Sequence, residues 1–333
     1  MPINNRSPLV DVYRMMLILY IALFHYTVTY NLNNPEIQII YPFEFKRGYI
    51  GVPLFFMMSG FYMSKVFGSL GGADSYLKYC ARRYYRLWVP YVISCIIVYS
   101  FLEVFPLFYG HIDLKLLLLN LVLFVHPGIR YVDGAHWFLG MLMIMQIIIG
   151  SLLLIKDKGY RNMVLLIICL TVGICQWLSK FSSISISNTY TSSLFSILLG
   201  IQFYKVLREK DLPYIGPLLI NVIYVACSSF YYLGGLILFL VLSSVRTCRC
   251  DNICISSLGE LSICWYLVHS RIGCAIQYHF VPHGDTSGIW VLLPIIVTLL
   301  VAFIVYLLTY QVKNVLDEKF ETILSKLSKK YFN

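Results

Sequence analysis

Ten apolar runs of 14 to 24 residues constrain the fold of this chain more than any other feature. A helix that crosses a bilayer needs about 20 predominantly apolar residues. Hydrophobic residues make up 59% of the chain and charged residues 13%, whereas soluble domains contain about 25% charged residues. The sequence therefore predicts an all-α polytopic membrane protein with about ten transmembrane helices. The runs cover residues 9–29, 48–68, 87–110, 136–155, 162–179, 189–206, 214–231, 234–247, 255–277 and 289–310.

The basic residues between these runs predict the orientation. With the N-terminus in the cytoplasm, 19 of the 26 Lys and Arg residues lie on the inner side and five on the outer side, while Arg14 and Arg271 lie within runs. Cytoplasmic loops of membrane proteins carry such an excess of positive charge. We therefore expect both termini in the cytoplasm of a multi-pass plasma or inner membrane protein. The orientation of the chain in the membrane then explains the net charge of +10, and no nucleic-acid partner is expected.

Two segments fall outside the ten runs. Residues 113–125 form an apolar run of about a dozen residues, too short to cross comfortably, so we expect an interfacial or re-entrant helix on the outer face. Residues 313–333 alternate apolar and charged positions at helical spacing and predict a basic amphipathic tail on the inner leaflet, after a membrane domain of residues 1–312. No small-residue cleavage site follows the first run, so we expect that helix to be retained.

The ten cysteines predict neither disulfides nor a metal site. None of them falls in a predicted outer loop, where an oxidising environment would favour pairing. The stretch "CRCDNIC" lacks the paired CxxC spacing of zinc sites. We therefore expect no metal.

The first apolar run contains three polar residues that a bilayer would disfavour: Asp11, Arg14 and His25. Arg14 and His25 are eleven residues apart, about 20° from whole helical turns, and Asp11 lies three residues before Arg14. All three therefore share one stripe, with His25 about 16 Å beyond Arg14. Intramembrane polar groups usually face a protein interior or a watery cavity. The alternative is an interfacial ion pair with a histidine that only packs.

The ninth run contains a second polar stripe, formed by Ser262, Tyr266 and His269 at positions i, i+4 and i+7. Counted from the inner side, His269 reaches a depth similar to that of His25. In the second run, Ser59 and the following glycine favour close helix packing, although they would also leave room for a ligand. The fourth run begins "GAHWFLG", which places Trp137 and its preceding histidine at the outer surface, where tryptophan is an ordinary anchor.

Arginines cluster in the stretch "LKYCARRYYRLWVPY", directly before the third span. Arg83 and Arg86 have two interpretations. In the first, they are positive charges that keep this loop in the cytoplasm, beside the aromatic residues usual at a membrane boundary. In the second, they bind phosphate, since a guanidinium group can bind two phosphate oxygens at once. In the second interpretation the neighbouring tyrosine and tryptophan rings would stack on an adenine.

Together these motifs resemble the acyltransferase-3 family of membrane acyltransferases, in the family's order along nearly the whole chain. The matching features are Arg14 and His25, "FFMMSGF" at 55–61, Arg83 and Arg86 before Pro90, Trp137, and the late "SICWYLVH" from Ser262 to His269. The resemblance implies transfer of an acyl group, usually acetyl, from coenzyme A to a hydroxyl of a surface glycan or a lipid-linked precursor.

The resemblance and the two stripes together assign roles to the candidate residues. His25 is the expected catalytic base, with Arg14, Arg83 and Arg86 binding the anionic end of acetyl-CoA. Ser59, Trp137, Tyr266 and His269 are expected to contact the carbohydrate acceptor. Some family members carry a fused extracytoplasmic domain, and we expect none here. Direct transfer and relay through a separate glycan-assembly protein both stay open.

Two other functional classes place polar residues inside the membrane. A secondary transporter has intramembrane ionisable groups, but usually also internal repeats and broken helices in matching halves, which the sequence lacks. A polysaccharide flippase or polymerase would share both the substrate and the spans. Only the transferase consumes acetyl-CoA, so labelling of the acceptor from the thioester distinguishes the three.

Overall fold

The computed structural model describes residues 8–36, 45–67, 70, 73–107, 112–122, 131–155, 157–181, 189–244 and 253–332. Within these ranges the chain forms helices and no strand, which confirms the all-α class. The α-helices are α1 (Pro8–Asn33), α2 (Gly51–Phe67), α3 (Ala73–Val104), α4 (Leu114–Asn120), α5 (Trp137–Gly150), α6 (Lys158–Phe181), α7 (Thr189–Leu207), α8 (Ile215–Ser228), α9 (Phe230–Ser244), α10 (Ile253–Phe280) and α11 (Ile289–Phe332).

Each of the ten predicted runs overlaps one of these helices. Five described helical stretches are long and apolar enough to cross a membrane: Pro8–Asn33, Arg47–Phe67, Asp74–Val104, Lys158–Lys180 and Ile289–Lys326. Three further stretches, in α5, α8 and α9, are apolar but shorter. The chain is therefore a helical membrane protein. The number of spans and the cytoplasmic position of the termini stay predictions.

The segment that the sequence placed on the outer face contains the short helix α4. Its seven residues rise about 10 Å, against a hydrocarbon core of about 30 Å. The indole Nε1 of Trp88 donates a hydrogen bond of 2.7 Å to the carbonyl of Leu121, at the end of α4. Trp88 lies sixteen residues, or about 24 Å, before the end of α3 at Val104. The contact favours the re-entrant alternative over the interfacial one.

The C-terminal tail continues the last apolar run without a break. Helix α11 extends over 44 residues, from Ile289 to Phe332, and neither Gly nor Pro occurs after Pro294 to interrupt it. The tail is therefore helical, and α11 continues through residue 313. Residue 333 lies outside the described ranges.

The chain divides into two compact units. The first comprises Met1–Gly51, Tyr85–Gly140 and Val241–Glu321, and the second comprises Val52–Tyr84, Met141–Leu240 and Thr322–Asn333. In the first unit α1 and α10 lie side by side and point in the same direction. A Cβ on Gly259 would meet Asp11, and one on Gly273 would meet the ring of Tyr26, so both glycines allow close approach.

Helix α11 packs against this pair in the opposite direction. Near its start, the Trp290 ring lies 4.9 Å from the Tyr30 ring. Further along, the Tyr306 hydroxyl lies 3.2 Å from the Ser257 hydroxyl, near the beginning of α10. Between these two points the Thr298 hydroxyl accepts a hydrogen bond from the indole of Trp265 and lies 3.1 Å from the Tyr26 hydroxyl. The three helices therefore form one buried group around the α1–α10 seam.

In the second unit, α2 and α7 touch backbone to backbone at two glycines. A Cβ on Gly60 would clash with the carbonyl oxygen of Ile197, and one on Gly200 would clash with that of Met57. Small residues allow such close helix contacts in membranes. The structure thus confirms the packing interpretation for Gly60.

We expect Gly60→Ala to destabilise the second unit strongly, because the added methyl meets a backbone carbonyl that no rotamer change can move. Overpacking of this kind costs about 1–3 kcal/mol or more. Thermal unfolding of the detergent-solubilised protein measures the effect. Gly234→Ala is the matched control, since a Cβ there meets nothing within 4 Å. Equal melting temperatures for the two variants would contradict the close contact.

Candidate active site

The two histidines of the predicted polar stripes are direct neighbours. The ring centroids of His25 and His269 lie 5.3 Å apart, with the planes inclined at 58°. The parallel packing of α1 and α10 brings the stripes together, because equal depth along two parallel helices becomes side-by-side contact. His25 is half-buried, whereas His269 is fully buried.

The hydrogen bond of His269 determines its tautomer. Its Nδ1 lies 2.7 Å from the carbonyl oxygen of Tyr266, which can only accept, so Nδ1 carries the hydrogen. Nε2 of the neutral ring then holds a lone pair, and it has no hydrogen-bond partner among the residues that the structure describes. A buried lone pair without a partner is costly. His269 is therefore prepared to accept a hydrogen from a neighbouring group.

Tyr266 forms one wall of this histidine pair. Its buried ring lies 5.1 Å from the Phe138 ring and 5.3 Å from the His269 ring. The structure therefore brings Tyr266, His269 and His25 together. Ser262, from the same stripe, instead donates to the carbonyl of Gly259 within its own helix.

Asp133 is a buried carboxylate that sequence analysis missed. Its Oδ1 accepts the backbone N–H of Ala135 at 2.8 Å, and its Oδ2 accepts that of Arg271 at 2.9 Å. Because Arg271 is two residues beyond His269 on α10, this carboxyl group lies near the histidine pair. A fixed negative charge there would stabilise a histidine that takes up a proton. The Asp-Gly pair is a turn and capping signal that marks the position in the sequence, though not its role.

The prediction that His136 and Trp137 lie at the outer surface is wrong for the histidine. His136 is 1% exposed, and its Nε2 donates to the carbonyl of Leu267 at 2.9 Å. Leu267 lies thirteen residues, or about 20 Å, before the end of α10 at Phe280. The chain enters α5 at this depth, not at the surface. Trp137 is half-buried beside Phe138.

At the beginning of α1, the structure confirms the predicted pair of Asp11 and Arg14. Nη1 of Arg14 lies 3.5 Å from Oδ1 of Asp11, and both side chains are largely buried. Gly259 of α10 leaves the room that Asp11 occupies. Arg14 is therefore held on the His25 stripe, about 16 Å from the histidine along the helix.

The proposed adenine-stacking faces on α3 are in part occupied by the chain itself. The Tyr85 ring stacks on the Phe320 ring at 4.3 Å, and its hydroxyl donates to Asp317 at 2.9 Å. The indole of Trp88 is bonded to the α4 segment, as described above. Among the arginines, Arg86 is exposed and Arg83 is half-buried. The stacking interpretation is thus wrong for Tyr85.

The second unit contains the other predicted contact, Ser59, and a cavity of its own. Ser59 is half-buried on α2. The cavity has a volume of about 660 Å³ and includes Lys158, Arg161 and Lys205 in its lining. Lys205 is paired with Glu209 at 2.6 Å. The volume is within the range of about 300–1,000 Å³ that ligand pockets occupy.

Comparison with known proteins agrees with these motifs. The family model Acyl_transf_3, described as an acyltransferase domain, matches residues 8–310. No curated protein and no solved structure matches the chain. The family match extends from the first residue of α1 to the apolar part of α11, and therefore includes the histidine pair, the arginines and the glycine contact. The chain belongs to the acyltransferase-3 family of membrane acyltransferases.

Proposed function

We propose that this protein transfers an acetyl group from cytoplasmic acetyl-CoA to a hydroxyl of a cell-surface glycan or its lipid-linked precursor, in the plasma or inner membrane. The observation that carries the proposal is the buried contact between His25 and His269. One imidazole is a candidate base and the other has a lone pair without a partner. Arg14 on the same stripe supplies a positive charge toward the donor side.

The reaction needs two proton transfers, one from the acceptor hydroxyl to His25 and one from His25 to coenzyme A. His25 removes the hydrogen of the acceptor hydroxyl while its oxygen attacks the thioester carbonyl carbon. The carbon–sulfur bond then breaks, and the coenzyme A thiolate takes the proton from the His25 imidazolium. The products are the acetyl ester and free coenzyme A. In a second route His25 attacks the thioester carbon first and the carbon–sulfur bond breaks, so that the coenzyme A thiolate leaves and His25 carries the acetyl group as acyl-histidine. The acceptor hydroxyl then attacks this acetyl group, its proton passes to the thiolate, and free His25 is restored.

The surrounding groups support a charged His25. Nε2 of His269 accepts an N–H from the His25 imidazolium, while the carboxylate of Asp133 compensates its charge. Buried, fixed dipoles and charges stabilise developing charge more than water does, since they need no reorganisation. Tyr266 holds His269 through its carbonyl oxygen and packs beside it. Trp137 and Ser59 stay predicted acceptor contacts.

The test is transfer of label. Purified protein in proteoliposomes receives acetyl-CoA labelled in the acetyl group, together with glycan acceptors extracted from cells that lack the protein. We expect label in the glycan and release of free coenzyme A. Mass spectrometry of surface glycans from cells with and without the protein identifies the ester. Glycan movement or elongation without consumption of acetyl-CoA would instead indicate a flippase or polymerase.

The donor arginines give a separate prediction. Arg83→Ala or Arg86→Ala should weaken coenzyme A binding by about tenfold to a hundredfold, because a hydrogen bond to a charged group contributes about 1.5–3 kcal/mol. Isothermal titration with coenzyme A measures this effect. Lys115→Ala, an exposed lysine of α4, is the control. Unchanged affinity in both arginine variants, with a loss in Arg161→Ala, would move the nucleotide to the cavity of the second unit.

A further inference from the structure

A second cavity lies in the first unit, at the far ends of α1 and α10. Its volume is about 290 Å³, and its lining includes Asn33, Gln277, Tyr278 and His283. This end of the two helices is opposite to the end at which Arg14 pairs with Asp11. The charge distribution of the sequence predicts that the cavity faces the outer side.

Gln277 has a carbonyl oxygen that is buried and unsatisfied. Its Nε2 donates to two backbone carbonyls, those of Tyr26 at 2.9 Å and Trp290 at 2.8 Å. These bonds determine which end of the amide is nitrogen, because a carbonyl oxygen cannot take the same place. Oε1 then has no hydrogen-bond partner in the described part of the chain, although the side chain is only 4% exposed. The oxygen requires a hydrogen-bond donor.

The rest of the cavity wall combines polar side chains with the apolar Val281. Its polar side chains are amides, phenols and an imidazole, with no Lys, Arg, Asp or Glu among the lining residues. Such a wall suits a neutral ligand with several hydroxyls, which both donate and accept hydrogen bonds. It suits a phosphate less well, because the lining offers no guanidinium or ammonium group to bind one. A volume near 300 Å³ is at the lower end of ligand pockets and limits the occupant to a small one.

The cavity is held in shape by hydrogen bonds of the neighbouring loop. Oδ1 of Asn34 accepts the N–H of Gly284 at 2.8 Å, and its Nδ2 donates to the carbonyl of Tyr30 at 3.0 Å. Asp285 accepts from Ser287 and from the N–H of Trp290 at the start of α11. The bonds from Ser287 lower the pKa of Asp285. A preformed cavity costs less ordering when a ligand binds.

The distance to the histidine pair decides which part of an acceptor would lie here. Asn33 and Gln277 are each eight residues beyond the corresponding histidine, His25 or His269, which is about 12 Å along either helix. A hydroxyl in the cavity is therefore too far from His25 to react. A ligand that reaches both places must be a chain of several units.

We propose that this cavity binds an uncharged sugar unit of the acceptor glycan, a neighbour of the unit that is acetylated. A sugar hydroxyl donates to Oε1 of Gln277, and the amide of Asn33 contacts a second hydroxyl. The cavity thus selects acceptors that are at least an oligosaccharide, and it orients them so that one hydroxyl reaches His25. This assignment of the substrate class rests on the proposed acyltransferase function.

Direct binding tests the cavity without catalysis. Saturation-transfer NMR on the solubilised protein uses the methyl glycosides of glucose, galactose, mannose, rhamnose and N-acetylglucosamine as probes. We expect at least one to bind at millimolar concentration and to lose its signal in Asn33→Trp, which fills the cavity, and to weaken in His283→Ala. Thr286→Trp places the same bulk on an exposed loop position outside the lining and should bind like the wild type.

The activity assay separates this proposal from the proposed function. In Asn33→Trp the KM for the glycan should rise by about tenfold or more, while coenzyme A affinity stays unchanged. Transfer with an unaltered glycan KM, or the absence of binding by all five glycosides, would overturn the cavity assignment and leave the acyltransferase function standing. The opposite result is also informative. If the protein binds a glycoside, loses that binding in Asn33→Trp and never transfers acetyl groups, the proposed function is wrong and the sugar-binding site stands.

Discussion

His25→Ala is expected to abolish acetylation of the glycan while leaving expression and acetyl-CoA binding intact. Loss of a general base typically lowers the rate by 10²–10⁴-fold, and by more if the histidine also carries the acetyl group. The binding of the nucleotide should not change, since the side chain lies about 16 Å from Arg14 along α1. The measurement pairs the rate of label transfer with titration of coenzyme A on the same preparation.

His279→Ala is the matched control for this variant. His279 is an exposed histidine near the end of α10, ten residues beyond His269, and its Nε2 bonds to the carbonyl of Pro106. It should transfer acetyl groups at the wild-type rate. Near-normal transfer in His25→Ala would show that the polar stripe of α1 serves packing and not catalysis.

The sequence was sufficient to predict the helices and the faces on which their polar groups lie. A period of 3.6 residues places Arg14 and His25 on one side of α1 whatever the neighbours are. It likewise places Tyr266 near His269 on α10. Only the structure shows that the two stripes face each other. Sequence periodicity shows which side of a helix a residue lies on, but it does not show which other helix packs against that side.

The residues that sequence analysis missed depend on contacts between distant parts of the chain. Asp133 meets Arg271, 138 residues later, and Tyr85 meets Asp317, 232 residues later. His136 was misplaced because a hydropathy pattern cannot show that the chain enters α5 at the depth of Leu267. An aspartate before a glycine looks like an ordinary turn, and a tyrosine near arginines looks like an open stacking face. Only the contacts seen in the structure show that these two residues have other roles.

The role of His269 gives the second prediction with a large effect. If Nε2 of His269 accepts a hydrogen bond from the His25 imidazolium, His269→Ala removes a bond to a charged group. Such bonds contribute about 1.5–3 kcal/mol, so transfer should slow by about tenfold to a hundredfold. The loss should appear in kcat more than in KM, because His25 is charged only during the reaction. The residual rate should exceed that of His25→Ala.

A glutamine at either position distinguishes a positioning residue from a base. The side-chain oxygen of glutamine can take the place of Nε2 and accept a hydrogen bond, but an amide does not take up a proton near neutral pH. His269→Gln should therefore recover much of the transfer that His269→Ala loses, whereas His25→Gln should be as inactive as His25→Ala. The paired measurements are kcat for all four variants with the same glycan acceptor. If both variants at His269 are inactive while those at His25 retain transfer, the proton passes to Nε2 of His269, and the roles of the two histidines are exchanged.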